Sequence, residues 1–147
     1  MTIASLASVL KFFGGAEPSP EERNQLVKEA LLMTLARASS SDSNIDPVEV
    51  SSVQRIIKEA TGEDVSEADI RVAAHAELFE TTSLDTALSK LSHTLNAKDC
   101  ALIANSLAEV IRSDLHVSER EAEFFDKVAG SLKITPSQLA GLIPENS

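Results

Sequence analysis

Apolar residues recur at three- and four-residue intervals along nearly the whole chain, and most of these runs open on a side chain suited to capping a helix. Ile3, Leu6, Leu10 and Phe13 predict a short amphipathic helix over 2–14, stopped by Gly14-Gly15. Ser19-Pro20-Glu21-Glu22 is a capping box with proline at the first helical position, where a missing N–H costs little. The helix it opens carries Leu26, Val27, Ala30, Leu31, Thr34, Leu35 and Ala38 on one stripe and runs to about Ser39. Asp46-Pro47-Val48-Glu49 repeats the signal ahead of Val53, Ile56, Ile57 and Ala60, with a stop near Gly62.

Ser66 opens a helix with Ile70, Ala73, Ala74 and Leu78, which places His75 inside it. The Thr82-Ser83 pair opens one with Leu84, Leu88, Leu91 and Leu95, and Asn96 restarts the chain into a stripe of Cys100, Ile103, Ala104, Leu107 and Ile111. Ser118 leads Ala122, Phe125, Val128, Ala129 and Leu132, and Thr135-Pro136 caps a last short helix with Leu139 and Leu142. No segment alternates with period two between hairpin turns, so the expectation is an all-α domain of about eight helices.

Within this pattern one phrase occurs twice. Asp42-Ser-Asn-Ile45-Asp46-Pro-Val-Glu49-Val50 returns 72 positions later as Asp114-Leu-His-Val117-Ser118-Glu-Arg-Glu121-Ala122. Val53, Ile56 and Ile57 align with Phe125, Val128 and Ala129, after which Gly62-Glu63-Asp64 reads as an insertion in the first copy. Such self-similarity predicts one helical unit used twice: a long helix, an acidic loop, a capped helix, a turn and a further capped helix. The expected layout over 1–147 is an N-terminal helix at 2–14, repeat one at about 20–80, a connecting helix at about 83–95 and repeat two at about 96–143. Ile45 with Val50, and Val117 with Ala122, occupy the positions of hydrophobic staples around the two caps.

The two acidic loops are the candidate site. A Glu three residues past its cap reaches back to the cap's N–H and complements the helix dipole, which gives Glu49 and Glu121 a structural account. A cap does not require an Asp seven residues earlier, however, and Asp42 and Asp114 stand there in both copies. If the loops meet, their hard oxygens suit Ca²⁺, Mg²⁺ or Mn²⁺, with Asn44 and its counterpart His116 as additional ligands. An EF-hand is excluded, because Pro47 and Glu119 hold the position that demands glycine.

Composition narrows the remaining choices. The chain is 43% apolar but only 3% aromatic, without Trp or Tyr, so Leu, Ile, Val and Ala must build one core for its 147 residues. A net charge of −10 repels phosphate backbones, so nucleic acid is excluded and a divalent cation or a basic protein surface is favoured. The lone Cys100 has no disulfide partner and falls on an apolar stripe, where it reads as a small buried hydrophobe. With no nucleophile elbow, no phosphate-cradling glycine loop among five glycines and no H-E-x-x-H, no catalysis is expected. His75 and His93 read as packing or solvated groups, and the chain as cytoplasmic, since no basic leader and no apolar run of about 20 residues is present. The apolar face of the first helix is expected to dock on the domain rather than on a partner or a membrane, because Lys11 alone offers little attraction to anionic lipid.

An Asp ending one helix, a short loop closing on Ile or Val, a cap and then a Glu resembles the TerB-like, tellurite-resistance-associated domain over roughly Glu22 to Leu142. Many members of that family carry glycine after the Asp, where this chain has Ser43 and Leu115. The resemblance implies an all-helical, internally duplicated cytoplasmic module of the tellurite and chemical-stress response. It also implies an acidic surface for divalent metal or protein contacts and no catalysis, with Asp42, Glu49, Asp114 and Glu121 as the residues carried over. A metal-independent adaptor for a basic protein is the alternative, and a metal-dependent hydrolase a more distant one.

Overall fold

The computed structural model describes residues 6–13, 15, 19–39, 50–75, 82–112 and 119–134. Among these residues the chain forms seven α-helices and no strand. They are α1 (Ala7–Phe13), α2 (Pro20–Ser39), α3 (Val50–Thr61), α4 (Glu67–Ala74), α5 (Leu84–Leu91), α6 (Ala97–Arg112) and α7 (Glu119–Ser131). The helix expected after Thr135 lies outside the described residues.

α2 starts where its capping box predicts. The Ser19 hydroxyl accepts from the Glu22 N–H at 3.2 Å, and the Glu22 carboxylate accepts from the Ser19 N–H at 2.9 Å. Its role is larger than the expected single stripe, because Leu32, Met33, Ala36 and Glu29 are buried alongside Leu26, Val27, Ala30, Leu31, Thr34, Leu35 and Ala38. A helix apolar around most of its circumference belongs in the centre of a fold. α2 accordingly packs against α1, α3, α4, α5 and α6, and α6 in turn packs on α2, α3 and α7. The buried Thr34 hydroxyl is satisfied within the helix by the Ala30 carbonyl at 2.8 Å.

α3 buries Val53, Ile56 and Ile57 and ends at Gly62, whose φ of 78° makes it a left-handed cap donating to the Lys58 carbonyl at 2.9 Å. The following acids are tied back: Glu63 to Lys28 of α2 at 3.2 Å and Asp64 to Lys58 at 2.9 Å. Ser66 and Asp69 then form a reciprocal capping box, each bond 3.0 Å, that starts α4. α4 is shorter than the sequence pattern suggests, since it stops at Ala74 and makes His75 its exposed C-cap instead of a mid-helix residue. The Arg37 guanidinium, reaching from α2, donates to the Ala74 carbonyl at 2.9 Å and so serves an acceptor left open at that terminus.

α5 is capped by Ser83 and buries Leu84, Leu88 and Leu91; it ends four residues before the expected Leu95, which is buried in the ensuing turn. Asn96 Oδ1 accepts from the Asp99 N–H at 2.8 Å to open α6, whose stripe of Cys100, Ile103, Ala104, Leu107 and Ile111 is buried as expected. α7 packs on α5 and α6 through Val128 and Ala129, with Phe125 partly buried. It closes in a Schellman arrangement: the Ile134 N–H reaches the Ala129 carbonyl at 3.0 Å and the Lys133 N–H the Gly130 carbonyl at 3.1 Å. That geometry puts Lys133, not a glycine, at a φ of 60°.

Two expectations need correction. The buried face of α1 is Leu6 and Val9, with Phe12 and Phe13 partly buried, while Leu10 is 41% exposed. At the second staple Ala122 is exposed, whereas Val50 at the first packs partly buried against the core. Ile45 and Val117 themselves fall outside the described residues.

Candidate functional site

The two acidic segments join helices of the central packing: 40–49 links α2 to α3, and 113–118 links α6 to α7. Asp42, Asn44, Glu49, Asp114 and His116 lie outside the described residues. Glu121 is in the first turn of α7, and its side chain is likewise outside the description. The structure therefore gives the four acids no mutual geometry. It does show that the helices they border are in contact, α2 with α6, α2 with α3, and α6 with α7.

Among the described residues, no group of three or more His, Cys, Asp or Glu is close enough to hold a metal ion. Cys100 is buried at the base of α6, where desolvation first and the Asp99 charge second push its thiol pKa up. It is thus a protonated core residue at neutral pH. His75 is exposed and contacts the Arg71 carbonyl through Nδ1 at 3.0 Å, and His93 is exposed in the turn after α5.

Sequence reasoning missed the buried Glu29 of α2 and the second role of Glu22, whose place in the capping box it did anticipate. Glu29 is 1% exposed, and its Oε1 accepts from the Ser8 and Val9 N–H groups at 2.8 and 3.1 Å. It thereby caps α1 from outside that helix, since Leu6 at the cap position has no side-chain acceptor. Glu22 receives Lys11 of α1 at 2.9 Å as well as the Ser19 N–H. The Ser19 backbone hydrogen bond and then the Lys11 ammonium hold its pKa down at about 2. Glu22 and Glu29 are seven apart, two turns or roughly 10.5 Å along one face of α2, which equals the length of the seven-residue α1. The signal available in the sequence was a pair of charged residues, Lys28 and Glu29, between the apolar pairs Leu26-Val27 and Ala30-Leu31.

Two shallow grooves lie on the surface of the described residues. One, between α3 and α6, has Ile56, Ala60 and Leu102 in its floor and Arg55, Glu59, Glu109 and Arg112 around it. The other, between α5 and α7, is lined by Asp85, Lys90, Asp126 and Lys127 with small residues between them. Both present balanced charge, two acidic and two basic side chains in each.

The described residues thus define an all-helical protein built around one buried shaft, α2. The chain belongs to the family of the tellurite resistance protein TerB, whose family model matches residues 28–142. Searches of curated proteins and of solved structures returned no match. The match starts within α2, so α1 and the Glu22 turn precede it. Among the described residues no helix is long and apolar enough to cross a membrane.

Proposed function

We propose that this chain is a non-catalytic binding module of the tellurite-resistance type that holds a divalent cation between its two acidic loops. The observation that carries this reading is the twofold occurrence of Asp and Glu at matched positions, Asp42 with Glu49 between α2 and α3, and Asp114 after α6 with Glu121 in the first turn of α7. The contact between α2 and α6 supports it, because each loop departs from one of that pair. Hard oxygens from these four residues, with Asn44 and His116 beside them, have the donor chemistry of Ca²⁺, Mg²⁺ or Mn²⁺. Such an ion would neutralise part of the −10 charge and tie the two halves of a duplicated unit together. The proposed setting is the cytoplasm, where a basic protein surface is the further partner the charge favours.

The test is thermal unfolding of chelator-treated protein with added Ca²⁺, Mg²⁺ or Mn²⁺. An ion bound only by the folded state stabilises it by RT ln(1 + [L]/Kd), about 2.7 kcal/mol at a hundredfold excess over Kd. Monovalent salt at matched ionic strength removes the part due to screening of a strongly acidic chain. Asp42→Asn with Asp114→Asn is expected to abolish the ion-specific gain. If the double variant responds to the ions as the parent does, the acids are structural or face a protein, and the metal-independent adaptor becomes the better reading.

A further inference from the structure

We propose that α1 is a latch: it leaves α2 as a unit while α2 to α7 keep their packing, and the buried Glu29 carboxylate sets how often it does so. Four independent features lead there. At seven residues α1 is too short to be helical alone, so it forms only where it docks. Leu6 at its cap position has no side-chain acceptor, and Glu29 of α2 takes the Ser8 and Val9 N–H groups instead. Leu6, which begins the helix, is held at a φ of 52°, a left-handed conformation that a branched side chain keeps only while the surroundings impose it. Release of α1 relieves that strain.

The fourth feature is how little else α1 holds. α2 is its principal packing partner, and the contacts α2–α4, α2–α6, α3–α6 and α5–α7 do not involve it. Among the described residues its other polar tethers are at the surface: the Lys11–Glu22 ion pair, with side chains 64% and 42% exposed, and the Lys90 ammonium 5.5 Å from the Phe13 ring centre. Solvent screens both. The family match begins at Lys28, so the matched span omits α1 altogether. Full burial of Leu6 and Val9 keeps the closed form dominant, and opening uncovers their seat on α2 together with the Glu29 carboxylate.

Native-state amide hydrogen exchange of the full chain, followed by NMR in increasing urea, tests this. A latch predicts that the Val9 and Leu10 amides exchange about a hundredfold faster than those of Leu31 in α2 and Leu107 in α6, with almost no urea dependence, as for a small local opening. Glu29→Gln keeps an acceptor oxygen but loses the charge, and it is expected to speed exchange at Val9 and Leu10 about tenfold with the urea dependence still flat. Should that variant fail to fold, Val9→Ala weakens the same seat and is read in the same way at Leu10. The proposal is overturned if the α1 amides share the rate and the steep urea dependence of Leu31 and Leu107, or if neither substitution accelerates them.

Discussion

Glu22 serves two helices at once, closing the capping box of α2 and receiving Lys11 of α1. Its pKa is lowered to about 2 from an ordinary 4.5, so the folded state favours the charged carboxylate. A group depressed on folding contributes stability that is fully present above its unfolded value and is lost as pH falls through its folded one. Urea unfolding measured from pH 6 down to pH 2 is therefore expected to show a decline that starts near 4.5 and is shallower in Glu22→Gln. Two helix ends give a second residue-scale test. Gly62→Ala forces a side chain into a φ of 78° and is expected to cost about 1–2 kcal/mol, while Lys133→Gly relieves a φ of 60° and is expected to stabilise by up to about 1 kcal/mol. Gly130 lies inside α7 with nothing within 4 Å of where a Cβ would stand, so Gly130→Ala is expected to raise stability by about 0.4–1 kcal/mol. Chemical denaturation of the three variants checks all of these, and a stabilising Gly62→Ala would contradict the assigned cap.

The helices themselves were legible wherever their signals are local. Ser19, Ser66, Ser83 and Asn96 cap the helices they were expected to cap, because such a bond spans three residues and needs no tertiary partner. What escaped the sequence depends on distant groups. α4 stops at Ala74 where Arg37, 37 positions earlier, takes its carbonyl, and no glycine or proline marks that end. α1 presents Val9 rather than Leu10 to the core, and helical spacing from Leu6 permits either; the contacts to Glu29, 20 and 21 positions away, go with the observed choice. Removing residues 1–15 is expected to lower the thermal midpoint, since it deletes the fully buried Leu6 and Val9. An unchanged midpoint would mean that this face is not part of the core.

At the scale of the whole molecule, the centrality of α2 is the main thing that periodicity understated. Leu31-Leu32-Met33 reads as a stripe with neighbours, yet all three are completely buried because five other helices surround the shaft. Leu32→Ala is accordingly expected to cost about 2–5 kcal/mol, as at a closed core position, and a loss well under 1 kcal/mol would place that face at the surface. The all-α class and the TerB family were readable from caps, spacing and the repeated acidic phrase, and the family match over 28–142 agrees with them. The candidate site was readable only as residue types, because any ligand geometry would depend on the placement of two loops 72 positions apart, and Asp42 and Asp114 lie outside the described residues.

One measurement addresses the proposed shared site directly. In a two-dimensional amide NMR spectrum of the full chain, a bound Mn²⁺ broadens signals near it, and the described residues supply the reporters: Ser39 and Val50 beside the first loop, Arg112 and Glu119 beside the second. The account predicts that all four broaden together at less than one equivalent of Mn²⁺, that Mg²⁺ or Ca²⁺ reverses the effect, and that Asp42→Asn with Asp114→Asn abolishes it. Broadening confined to one loop, or spread evenly over the acidic surface, would contradict a cation held between the two.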